Sequence, residues 1–221
     1  GHVVGSLATI LHSDFICDRG DLEQTSPDAL ALSYDVSNGS NPRTGAVIQV
    51  VPSGPEMHPS LIYNLIVSAI FGAEKTITVI TPYFVPDDAF LLALVTAAKR
   101  GRDVTLIIPK TMDSIFVKYS GHASFSVLLE AGVKIMWFKD NMLHTKALLI
   151  DDEISLVGTV NMDMRSFYLN LELTMIVYDR SFAARMAELA DSYLENCEEV
   201  LRQTWEQRSK RDRLREDLFR L

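Results

Sequence analysis

The feature that most constrains this chain is a series of short apolar runs, rich in branched residues, that alternate with longer stretches apolar at helical spacing. AVIQVV (46–51) reads as a buried strand, Ser60 to Ala73 as a helix, and TITVIT (76–81) as a second strand closed by Pro82. Together they form a βαβ unit. Asp87 or Asp88 caps a helix that runs to Arg100 and stops at Gly101. DVTLIIP (103–109) is a third strand, Ser114 to Ala131 a helix ended by Gly132, and VKIMWF (133–138) a fourth strand. The period then shortens. HTKALLID (144–151) and EISLVG (153–158) read as strands joined by a tight Asp-Asp turn, and LELTMIVY (171–178) as another strand. The expected fold is α/β: a mixed, largely parallel sheet with helices on both faces and an antiparallel portion from the hairpin.

Three segments are expected along the chain. Residues 1–45 read as an opening helical segment followed by a polar linker (SNGSNPRTG). Residues 46–203 form the main α/β domain, and 204–221 a basic amphipathic tail. After Asp179, Phe182, Met186, Leu189, Tyr193, Cys197 and Val200 recur every three or four residues, one core-facing stripe of a long helix. Thr204 and Gln207 have capping-box spacing for a last short helix bearing Trp205, Leu214, Leu218 and Phe219.

Composition removes several classes of function. The chain has 221 residues and a net charge of −8, which argues against a general nucleic-acid binder, since phosphate backbones are held mainly by basic surface. The charge is uneven: Arg202 to Leu221 carries seven basic and four acidic residues. That tail reads first as a solvated helix and second as a contact for an anionic surface. The longest apolar stretch, Leu61 to Ala73, is shorter than the ~20 residues of a membrane-spanning helix. Cys17 and Cys197 stand apart without metal-ligand spacing and read as idle thiols; His58 and His122 likewise lack metal-ligand partners. No GxSxG elbow suggests a serine hydrolase. The start lacks Met and a basic leader, so the chain is expected to be a piece of a longer polypeptide.

The chemistry concentrates between Leu143 and Thr174. His144 and Lys146, two apart on an expected strand, leave the same face of the sheet, and an unpaired cation there must be wet or must hold an anion. On the return strand Gly158 permits close backbone approach, and Thr159 and Asn161 again share a face. Such a set suits a phosphate. Lys146 supplies charge, Thr159 and Asn161 supply hydrogen bonds, and His144 attacks phosphorus or shuttles a proton. Glu172 is placed to fix the imidazole tautomer. No metal or cofactor is needed.

The spacing His144-x-Lys146-x4-Asp151-x6-Gly158-x2-Asn161 resembles the HKD motif of the phospholipase D superfamily, with Thr159 where many members have Ser. At about 5% usage per residue type, five fixed positions arise by chance in such a length on the order of 10⁻⁴ of the time. TPYFVPDD (81–88), AGVKI (131–135) and the motif run extending through LNLE narrow the resemblance to bacterial cardiolipin synthases, closely from Ile48 to Asp179.

That resemblance implies phosphatidyl transfer between two phosphatidylglycerol molecules through a phosphohistidine, releasing glycerol and forming cardiolipin. It implies a site at a bacterial inner membrane, with this segment peripheral. Relatives use two HKD motifs, one histidine as nucleophile and the other as general acid, whereas this chain has one. The chain therefore resembles a C-terminal half, completed by an N-terminal HKD lobe of the same polypeptide or by a homodimer partner. His144 is then nucleophile or acid/base. Asp151 belongs to the motif but lies at the turn, which favours a hydrogen-bond organiser. Arg165, Ser166 and Asn170 bind phosphate or brace the loop, and Tyr83 and Phe84 line the site or plug their loop. The competing readings are a phospholipase D-type hydrolase, a single-motif nuclease, and a non-catalytic module that binds anionic lipid through the basic tail.

Overall fold

The computed structural model describes residues 45–55, 60–139 and 142–219, and the single positions 3, 5, 7 and 10. Apart from those single positions and residue 45, the opening helix and linker expected over 1–45, with Cys17, lie outside the described residues, as does His58.

Among the described residues from 45 on, ten strands and seven helices follow the alternation of the sequence. They are β1 (Val47–Ser53), α1 (Leu61–Gly72), β2 (Thr76–Ile80), β3 (Phe84–Val85), α2 (Asp88–Lys99), β4 (Asp103–Pro109), α3 (Ile115–Ala131) and β5 (Lys134–Phe138). Next come β6 (Ala147–Ile150), β7 (Ile154–Gly158), β8 (Met162–Asp163), α4 (Met164–Tyr168), β9 (Glu172–Tyr178), α5 (Arg180–Leu194), β10 (Cys197–Glu199), α6 (Arg202–Glu206) and α7 (Lys210–Phe219). The expected caps are used. Asp87 accepts from Phe90 N–H, Ser114 from Val117 N–H, and Gly132 closes α3 in the left-handed region at φ 96°.

The main sheet has eight strands in the order β1-β9-β7-β6-β2-β4-β5-β10, and β3 pairs with β8 in a second, two-stranded sheet. Ile62, Ile66 and Ile70 of α1, Phe90 and Leu94 of α2, and Phe125 and Leu128 of α3 bury one face against Ile77, Val79, Leu106, Ile135 and Leu148. On the other face Met186, Ala190 and Tyr193 of α5 cover Ile80, Ile107, Phe138 and Leu149. A mixed sheet with helices on both faces is therefore what forms.

The balance of strand directions is not the expected one. Within the main sheet only β2–β4 and β4–β5 pair in parallel, whereas β1–β9, β9–β7, β7–β6, β6–β2 and β5–β10 pair antiparallel. Helical crossovers make parallel neighbours, and in the main sheet only α2 and α3 lie on crossovers between adjacent parallel strands. The chain from β1 through α1 to β2 is also a crossover, but β9, β7 and β6 separate its two strands. Local periodicity shows that a strand exists and leaves its neighbour open.

Two further boundaries differ. The stripe expected as one long helix ends at Leu194, and Cys197–Glu199 becomes edge strand β10 beside β5. The closing helix is two pieces, α6 beginning two residues before Thr204, with Leu201 rather than Thr204 at its N-cap.

The register gathers the C-terminal ends of β1, β2, β4, β5 and β7 and the N-terminal ends of β6 and β9 at one end of the sheet. Ile80 lies opposite Ala147, Ala147 opposite Val157, Gly158 opposite Thr174, and Ser53 opposite Glu172.

Candidate active site

Every polar residue of the motif except Asp151 falls at this gathered end. β6 begins at Ala147, so His144 and Lys146 stand on the segment leading into the strand rather than within it. The reason is local. Thr145 is held by Tyr193 through a 2.7 Å hydroxyl contact, and the Lys146 ammonium donates back to the His144 carbonyl at 2.8 Å. His144 is exposed, and among the described residues its imidazole makes no hydrogen bond. Lys146 is half-buried; burial lowers its pKa, and the Glu172 carboxylate opposes that shift.

Gly158 lets β7 lie against β9: a Cβ there would be driven into the Leu173 carbonyl oxygen and come within 2.8 Å of Thr174 Cα. Thr159 continues the clamp. Its N–H donates to Leu173 O at 3.0 Å and its hydroxyl oxygen accepts from Leu173 N–H at 2.9 Å, which leaves the hydroxyl proton to donate elsewhere. Asn161 gives its amide NH₂ to Ser166 Oγ at 3.3 Å, while its Oδ1 is buried without a partner among the described residues. A half-turn of that amide would place the NH₂ where Oδ1 now lies and let Ser166 donate to the carbonyl.

Glu172 takes a hydrogen bond from Asn170 at 3.0 Å and lies in the field of Lys146. No hydrogen bond joins it to His144 among the described residues, so the expected carboxylate–imidazole pair is not formed. The histidine precedes β6, and strand register does not aim it at Glu172.

Asp151 is at the other end. It occupies the β6–β7 turn at φ 55°, and its carboxylate accepts from the backbone N–H groups of Glu74, Lys75 and Thr76 at 2.7, 2.7 and 2.8 Å. Burial would raise its pKa; those three donors hold it below the usual carboxylate value. It is a brace at the start of β2, separated from Lys146 by the length of β6.

The remaining expected residues divide. Ser166 is 1% exposed and donates its N–H to the α4 cap Asp163, so it braces the loop. Arg165 is exposed on α4, and its carbonyl accepts from Leu169 and Asn170 N–H. Tyr83 donates to the Asp113 carboxylate at 3.0 and 3.1 Å on the site side of the sheet. Phe84 does not line the site: it is 0% exposed, with Phe90 at a 6.3 Å ring separation. The pairing of β3 with β8 seats its backbone on Met162 and turns the ring inward.

Two organising residues went unread in the sequence. Thr81, fully buried, accepts from Met162 N–H at 3.2 Å and donates to Tyr83 O at 2.7 Å, tying the loop after β2 to the segment after Asn161. Asp163 caps α4, and burial raises its carboxyl pKa. Its spacing to Ser166 was a legible capping signal. Among the described residues no group of three or more His, Cys, Asp or Glu is placed to hold a metal ion.

Residues 66–194 match the family described as cardiolipin synthase, PLD-like domain, a span of more than half the chain that contains the whole motif. The chain belongs to this family. The cardiolipin synthase A of Buchnera aphidicola subsp. Baizongia pistaciae is 37% identical over 98% of this chain and 45% of that protein. That of Yersinia pseudotuberculosis serotype O:1b is 38% identical over 97% of this chain and 44% of that protein. The chain thus spans less than half the length of these cardiolipin synthase relatives. Among solved structures, the phospholipase D family member Nuc from Salmonella typhimurium superposes with a TM-score of 0.62 at 19% identity, covering 71% of this chain and 99% of that one. A phosphatidylserine synthase from Haemophilus influenzae Rd KW20 gives 0.61 at 17% identity, covering 78% and 44%. At such identities the likeness speaks for the fold of this cardiolipin synthase-family domain.

Proposed function

We propose that the chain is the C-terminal catalytic half of a cardiolipin synthase, acting on phosphatidylglycerol at the surface of a bacterial cell membrane. The observation that carries this reading is the gathering of His144, Lys146, Thr159, Asn161 and Glu172 at one sheet end in a chain of this family.

In the proposed reaction the phosphorus–oxygen bond to the donor's headgroup glycerol breaks as a histidine nitrogen bonds to phosphorus, and a second histidine protonates the departing glycerol. The acceptor's hydroxyl then attacks phosphorus, losing its proton to that second histidine, and the histidine–phosphorus bond breaks to release cardiolipin. His144 takes one of these roles. Lys146, kept charged by Glu172, stabilises the negative oxygens of the five-coordinate transition state, with Thr159 and the Asn161 amide donating to them. The other histidine comes from an N-terminal lobe of the same polypeptide or from a second copy. Met142, Leu169 and Leu171, 80%, 67% and 69% exposed around the site, suit such an apposed surface. Residues 1–45 and 46–203 are proposed as the end of that lobe with its linker and as the catalytic domain.

The exposure of His144 favours one competing outcome, hydrolysis, in which water replaces the acceptor alcohol. Phosphatidylglycerol in mixed micelles, incubated with a polypeptide carrying this chain behind its first lobe, decides between them by mass spectrometry. Cardiolipin and glycerol, both lost in His144→Ala, are expected. Phosphatidic acid without cardiolipin would assign a hydrolase, and neither product would overturn the reading.

A further inference from the structure

The last helix, α7, turns Glu216 inward and its leucines outward. At 100° per residue Asp212, Glu216 and Phe219 share one flank, and this flank faces α3. Glu216 is 3% exposed and takes a bidentate bond from Arg208, with contacts of 2.6 and 2.9 Å. Asp212 is bonded by Ser209 at 2.6 Å, and Phe219 stacks on Tyr119 and meets Phe116 edge-on at 5.5 Å. The opposite flank carries Leu214 and Leu218, 70% and 71% exposed, beside the exposed Lys210 and Arg211. Ile115 and Phe116, at the start of α3, add two further exposed apolar side chains, 68% and 47%.

A helix that turns two leucines to water and buries a glutamate is poorly matched to water on its outer side. It is well matched to a bilayer interface, where leucines enter the acyl boundary and flanking cations meet anionic headgroups. Glu216, buried and paired with Arg208, adds no net charge to the outer flank. Among the described exposed residues of α7, Lys210, Arg211 and Arg213 are opposed by Asp217, and Arg215 lies 3.9 Å from the half-exposed Asp212, in a chain whose net charge is −8. The place fits too. α3 starts from the loop after the C-terminal end of β4, so Ile115 and Phe116 lie at the end of the sheet that holds Lys146.

We propose that Leu214 and Leu218, with Ile115 and Phe116, form a docking surface for an anionic lipid bilayer, flanked by Lys210 and Arg211, that turns the site end of the sheet toward the headgroups. The occupant is the lipid surface rather than a protein groove because the cations border the exposed leucines. The proposal rests on the lipid-directed reading of the site.

The test is flotation of the chain with vesicles of phosphatidylcholine alone or of phosphatidylcholine with phosphatidylglycerol. Binding to the anionic vesicles is expected, falling with added salt and weakened about tenfold or more in Leu214→Ser/Leu218→Ser and in Lys210→Gln/Arg211→Gln. The second variant alters only exposed side chains and guards against a folding defect in the first. His144→Ala should bind as the parent does, so failure of the catalytic reading leaves this result standing. Equal binding to both vesicle types, or unchanged binding of both variants, would overturn the proposal. So would a leucine variant that changes the mass in sedimentation and not the vesicle binding, since that face would then meet another protein surface.

Discussion

The Lys146 ammonium donates to the carbonyl oxygen of His144 at 2.8 Å, so the cation and the imidazole that the proposed reaction puts on one phosphate are joined through the same two peptide units. Arrival of an anion exchanges that carbonyl for a charged acceptor, a stronger partner. Lys146→Met, similar in length and without charge, should lower kcat/KM by about 10²–10³-fold, the range for loss of one preorganised transition-state donor. The melting temperature should move little, because a half-buried lysine in the field of one carboxylate contributes little to the fold. A parallel fall in melting temperature would make the lysine a structural residue.

Asp151 predicts the converse. Its carboxylate satisfies three N–H groups at the start of β2, and Asp151→Ala should destabilise the fold by about 2–3 kcal/mol, with kcat unchanged at temperatures where the variant is folded. Asp151→Asn tolerates the left-handed backbone and should lose less. Because the folded carboxyl lies below its usual value, its contribution is present above the unfolded pKa and lost as pH falls through the folded one. Denaturant titrations of parent and variant should therefore converge in acid.

Gly158→Ala sets a methyl group against the backbone of Leu173 and Thr174. Neither atom belongs to a flexible side chain, so β7 and β9 must part. The expected loss is about 2–4 kcal/mol of stability together with most activity, because Thr159 and Asn161 follow directly on the displaced strand. An unchanged melting temperature would show that the strands accommodate it.

His122 is buried among Phe125, Trp137 and Trp205, where burial, then the Lys118 and Arg208 charges, lower its pKa to about 4. A neutral imidazole in the fold and an ordinary one in the unfolded chain make this contribution full above about pH 6.5 and lost as pH falls toward 4. The size is on the order of 3 kcal/mol. His122→Phe should remove that part of the acid sensitivity in pH-dependent denaturant unfolding, and an unchanged pH profile would place the acid-sensitive group elsewhere.

Much of this architecture was legible where the code is local. The apolar runs of β2, β4 and β5, the caps at Asp87 and Ser114, and the stop at Gly132 are local features, and each marks its element. The order of the sheet is not local: nothing within AVIQVV says that β9 rather than β2 will be its neighbour. Edge strand β10 was hidden because Cys197 and Val200 continue the three-and-four spacing of α5 after the backbone has changed course. At the site, motif spacing located the residues but could not aim them. His144 precedes its strand and escapes the alternation, whereas Phe84 is turned inward by a pairing between β3 and β8 that is only two residues long.

Strand direction reverses between β2 and β6, and the site lies at that seam. Its residues come from turns after β7 and before β6 and β9, while the turn held by Asp151 closes the distant end. Two tasks are thereby assigned to different connections. In the proposed reaction, lengthening or replacing a loop at the seam alters which alcohol reaches the phosphate without loosening the distant clasp, so acceptor choice is open to drift while the framework stays under separate selection.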